Sequence, residues 1–88
     1  MDKHQLVADV KLRVKYRSLI VLSYVYCDRF GLEQLVTETM VVDYGDFRPI
    51  QDAADEMHRV AKRAGGKILH ALVTVVPPEQ VGRVNDRD

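Results

Sequence analysis

The 88 residues make one domain, near the small end of what folds alone, and a 47% hydrophobic content suffices for a core. Thirteen basic and thirteen acidic side chains cancel, which argues against a dedicated nucleic-acid binder, since those are usually clearly basic. A lone cysteine, Cys27, excludes an intrachain disulfide and with it a disulfide-stapled secreted fold.

Charge is segregated along the chain. Residues 1–17 carry five cations against two acids, residues 18–58 eight acids against two arginines, and residues 59–76 four cations and no acid. Such blocks suit oppositely charged strands paired in one fold, or a polarised surface.

Residues 6–16 read as a first strand. From Val10 to Arg17 apolar and cationic residues alternate, and a strand sends alternate side chains to opposite faces. Val10, Leu12, Val14 and Tyr16 then share one face, and Lys11, Arg13, Lys15 and Arg17 form a basic stripe on the other. Cations on an outer strand also serve simply to discourage edge-to-edge aggregation. Arg17-Ser18 marks a bend. Residues 18–27, rich in β-branched and aromatic types, read as strand two. Asp28-Arg29-Phe30-Gly31 fits a type I turn, with Asp first and Gly fourth.

Strand three follows over 37–44. Leu32, Leu35, Val36, Thr39 and Met40 also satisfy helical spacing, so residues 32–40 carry two readings; Thr37, Thr39, Val41 and Val42 favour the extended one. A helix then begins near Asp46, taken as its N-cap, with Pro49 in the first turn. Ile50, Ala53, Ala54, Met57, Val60, Ala61 and Ala64 form one apolar stripe, and Asp55–Arg59 is expected as an i,i+4 pair. Gly65-Gly66 ends the helix through a left-handed cap. Residues 67–76 are apolar on both parities and read as a fourth, central strand, parallel to strand three after a right-handed crossover. Pro77-Pro78 stops it, and residues 79–88 read as a polar, flexible tail on a domain spanning 1–78.

The expected fold is therefore α+β: a three-stranded antiparallel meander, one amphipathic helix on one sheet face, then a central fourth strand, in the order β-β-β-α-β. One helix covers one face, so the other must meet water or a partner. In strand two, Leu19, Val21, Ser23, Val25 and Cys27 share one parity and suit close packing against an alanine-rich helix. Ile20, Leu22, Tyr24 and Tyr26 then face outward beside the cations; the reverse parity exposes Val21 and Val25 instead.

No catalytic or metal motif is legible. His4, His58 and His70 have no zinc spacing with each other or with Cys27. Asp43, Asp46 and Asp52 do not match a calcium loop, and Gly65-Gly66-Lys67 follows a helix rather than preceding one, so it is no phosphate loop. No cofactor is expected, and no enzyme. Leu19–Cys27, the longest near-apolar run, is nine residues, too short to cross a bilayer. With no signal-peptide pattern at the N-terminus, a cytoplasmic location is expected. The reading is a small intracellular protein-binding module, of adaptor or inhibitor type, that self-associates through its open sheet face. A foreign protein is a second possible occupant. The alternative is single-stranded nucleic acid, with bases on Tyr24 and Tyr26 and phosphates on Lys11, Arg13, Lys15 and Arg17.

Overall fold

A computed structural model describes residues 3–76; the expected Pro77-Pro78 stop and the tail lie outside the described residues. The chain is α+β, in the order α1 (Lys3–Arg13), β1 (Ser18–Cys27), β2 (Glu33–Val42), α2 (Arg48–Arg63) and β3 (Lys67–Val76).

The first expected strand is a helix. Leu6, Val10 and Val14 recur every four residues, and all three are buried. The alternation that suggested a strand starts only at Val10, and two of its apolar members are outside the core: Leu12 is 78% and Tyr16 70% exposed. Asp9 and Arg13, one turn apart, close a 2.7 Å ion pair. The helical period extends over a longer segment than the period of two, and it captures the residues that reach the core.

The strands form one antiparallel sheet in the order β2-β1-β3. The central strand is thus β1, not the last strand, and β3 pairs antiparallel with β1 rather than parallel with β2. Apolarity on both parities of β3 has a different cause from central placement. Its inner residues Ala71 and Val73 are buried, and its outer face carries Leu72 on the uncovered side.

The β1–β2 turn forms as its sequence dictates. The Gly31 N–H donates to the Asp28 carbonyl at 3.1 Å, and the Asp28 carboxylate accepts from the Phe30 and Leu32 N–H groups at 2.8 and 3.0 Å. Gly31 takes a φ of 81°, which glycine adopts without penalty. The strand reading of residues 32–40 holds, with β2 beginning at Glu33. At the start of α2 the N-cap is Phe47, one residue later than expected, and Pro49 lies in the first turn. Asp46 still accepts from the Arg48 backbone N–H at 3.3 Å and from the Arg48 side chain at 2.9 Å. Those bonds hold its carboxyl at a pKa of about 2.

The helix ends in a Schellman arrangement. Gly65 N–H donates to the Lys62 carbonyl and Gly66 N–H to the Ala61 carbonyl, each at 3.0 Å. Arg29 N–H donates to the Ala64 carbonyl at 3.0 Å, tying the hairpin tip to the end of α2. The expected Asp55–Arg59 pair is replaced by two others. Asp55 takes Lys3 of α1 at 2.8 Å, and Arg59 takes Glu56 at 2.8 Å.

One core joins the layers. Leu6 and Val10 from α1, and Ile50, Ala54 and Met57 from α2, pack with Ile20, Leu22 and Tyr24 of β1 and Val73 of β3. Both helices therefore lie on the same side of the sheet.

Candidate functional site: the uncovered face of the sheet

Antiparallel register places directly opposed residues on the same face. The partners of the buried set Ile20, Leu22 and Tyr24 define the helix side. The other side carries five rows across β2, β1 and β3. They are Val41–Leu19–Val76, Thr39–Val21–Thr74, Thr37–Ser23–Leu72, Leu35–Val25–His70 and Glu33–Cys27–Lys67. A bulge at Leu69, where the β1–β3 register shifts between Val25 and Tyr26, keeps His70 and Lys67 on this face.

Its chemistry is distinctive. The first three rows hold aliphatic side chains and small hydroxyls, with no charge. Leu35 is 72%, Leu72 56% and Val41 42% exposed. Ser23 and Thr37 hydroxyls meet at 3.5 Å at the middle of the face. Formal charge enters only at the far end, with Glu33 and Lys67. Neither has an ion-pair partner among the described residues.

The parity is the reverse of the first expectation, so Ile20, Leu22 and Tyr24 face the helices and are buried. Tyr26, half-buried, packs against the same core. The reason is volume. The facing stripe of α2 carries Ala53, Ala54 and Ala61 beside Ile50 and Met57, and the small helix residues leave space that the larger sheet residues fill at native packing density. Leu19, Leu35, Val41 and Leu72 are the residues that sequence reasoning did not assign to the exposed face, and Val21 and Val25 entered it only through the reverse parity. The signal was present in the pairing of small helix residues with the larger parity of β1.

The four cations do not form a stripe. Lys11 and Arg13 lie on α1, two positions apart and so on different sides of the helix. Lys11 sits over the Phe47 ring at 5.7 Å, a cation–π contact. Arg13 donates to Asp9 and to the Val73 carbonyl at 2.9 Å. Arg17 lies 3.8 Å from Asp43, and Lys15 is exposed in the link to β1. The stacking platform is likewise absent from the surface, because Tyr24 is 1% exposed.

Tyr24 has a different peculiarity: its hydroxyl is buried without a hydrogen-bond partner. Burial first, then the charges of Glu38, Glu56 and the neighbouring Tyr26, push its pKa above the ordinary value. An unpaired buried hydroxyl destabilises, so Tyr24→Phe is expected to raise stability by about 1 kcal/mol, read as an increase in the urea midpoint. The pH dependence has a defined sign. A phenol whose folded pKa exceeds its unfolded one contributes stability that is complete below about pH 10 and lost as pH rises through the folded value. Wild type should therefore lose stability above pH 10 more steeply than Tyr24→Phe; equal slopes would contradict this.

A cleft of about 370 Å³ between α1 and α2 includes Lys3, His4, Lys11 and Asp55 in its lining. Neither His58 nor His70 is part of it, and Lys3 is engaged by Asp55. Among the described residues, no three His, Cys, Asp or Glu side chains gather as a metal site, and no helix is long and apolar enough to cross a membrane. Comparison with protein-family models, curated proteins and solved structures gave no match to this chain.

Proposed function

We propose that this chain is a small intracellular, non-enzymatic protein-binding module, and that its primary partner is a second copy of itself, docked on the uncovered sheet face. The observation that carries the reading is the asymmetry of the sheet. Both helices pack on one side, while the reverse presents Leu19, Val21, Val25, Leu35, Val41 and Leu72 with no formal charge in four of five rows. Apolar area removed from water contributes about 25 cal/mol per Å². Three strands of this length offer a face of roughly 14 by 34 Å, on the order of 1,000 Å² for two copies, the lower bound for a specific interface.

Light scattering on the purified chain tests it. Wild type should be dimeric at micromolar concentration. Leu72→Asp places a carboxylate in the middle row of the face, on the outer strand β3, and should give monomers with unchanged far-UV circular dichroism. A wild type that stays monomeric at millimolar concentration would overturn the reading.

A further inference from the structure

We infer that the two copies stack face to face about a two-fold axis running along β1, with like strands parallel, so that Glu33 of each copy meets Lys67 of the other. The inference rests on the self-association reading and adds its geometry. Among the described residues, Glu33 and Lys67 are both without an ion-pair partner. They occupy the same row of the face, on the two outer strands, with Cys27 between them. Opposed charges on the two edges of one row are self-complementary under a single operation. A two-fold axis along β1 keeps each row over itself and exchanges β2 with β3. Glu33 then lies over Lys67 of the second copy, and Lys67 over its Glu33. The uncharged rows also lie over themselves, with Val41 over Val76, Thr39 over Thr74, Thr37 over Leu72 and Leu35 over His70.

The competing arrangements fit worse. An axis across the strands sets the charged row against Val41, Leu19 and Val76, burying an ammonium and a carboxylate on apolar groups. Strands crossed at right angles overlap only over a central square of roughly 14 by 14 Å and leave the outer rows uncovered. Steering by complementary charge is the ordinary means of fixing orientation at an interface that area alone leaves ambiguous.

Charge exchange is the test, read as the dimer dissociation constant by analytical ultracentrifugation. Glu33→Lys sets two pairs of ammonium groups against each other, and Lys67→Glu two pairs of carboxylates. Each should weaken the dimer about tenfold. The double variant Glu33→Lys/Lys67→Glu restores both pairs and should return to within about twofold of wild type. Cys27 supplies an independent readout. Its Cα lies about 10 Å from its counterpart in the proposed stack, with the two thiols pointing toward each other and nearer still, and nearly 30 Å away if the axis runs across the strands. A bismaleimide with a spacer of about 10 Å should thus link wild-type copies through Cys27. Single charge variants that leave the dimer unchanged, or a rescue that fails, would overturn the proposed orientation while Leu72→Asp still reports on self-association. A wild type that does not associate would remove both.

Discussion

Val10→Asp should cost most of the stability of this domain, while Leu12→Asp, two residues away, should cost less than about 0.5 kcal/mol. Val10 is fully buried between Leu6 and Val14, in the core that α1 shares with α2 and the sheet. A carboxylate there has no cation to meet inside the core, and burying it costs several kcal/mol. A chain of this length holds roughly 4–13 kcal/mol in total. Leu12 is 78% exposed, so a polar replacement loses almost no burial. The pair separates helix from strand directly, because a strand would place both residues on one face and penalise both alike. Urea unfolding followed by circular dichroism is the measurement. If Val10→Asp does not fold, Val10→Ala still reports, with an expected loss of about 1–3 kcal/mol. Equal losses at positions 10 and 12 would contradict the helix.

The second large effect is expected at Gly66. A Cβ on this residue would fall onto the Cys27 carbonyl oxygen and lie 3.1 Å from the Asp28 Cα. Both obstacles are backbone, so no rotamer change relieves them. Either the end of β1 or the α2–β3 joint has to move, and the Gly66 N–H bond to Ala61 moves with it. Gly66→Ala should cost about 3 kcal/mol or more. Gly65→Ala is the comparison. Gly65 has a φ of 77° and faces the Arg29 side chain, whose Cβ lies 3.0 Å from the added atom. Left-handed strain at one residue costs about 1–2 kcal/mol, and the contact adds a little. The expected order of loss is Gly66 above Gly65, with Gly31→Ala at or below Gly65, because Gly31 has φ 81° but open space around it. A Gly66→Ala variant as stable as Gly65→Ala would show that the chain crossing is looser than the structure places it.

Gly66 also illustrates where sequence reasoning stops. A double glycine after an amphipathic stripe marks a helix end, and the Schellman bonds form there. Only the first glycine is needed for the cap. The second is required by a strand 39 residues away in sequence (a tertiary approach that no local pattern encodes). The N-terminal segment shows the same limit from the other side. Alternation over 10–17 and four-residue recurrence over 6–14 coexist in one stretch, and each is a legitimate period. Which one wins depends on what lies opposite. Here Leu6, Val10 and Val14 find Ile50, Ala54 and Met57 of α2, and that core decides for the helix.

The face parity of β1 was open for a related reason. Both sets of side chains are apolar enough to be buried, so composition cannot choose between them. Complementary volume across the layer makes the choice, since α2 contributes mainly alanines and leaves space for Ile20, Leu22 and Tyr24.

Elements whose information is local were determined by the sequence alone: the Asp28–Gly31 turn, the amphipathic stripe of α2 with Pro49 at its start and glycine at its end, and the strand character of residues 18–27 and 67–76. Turn chemistry, capping and periodicity act within a few residues, and those residues are adjacent in the chain. Tertiary packing decided the rest: α1 instead of a first strand, β1 instead of the last strand at the centre, and which side of the sheet stays bare. Each of these is a competition between two locally acceptable arrangements, and the free energy that separates them comes from contacts between segments far apart in the chain.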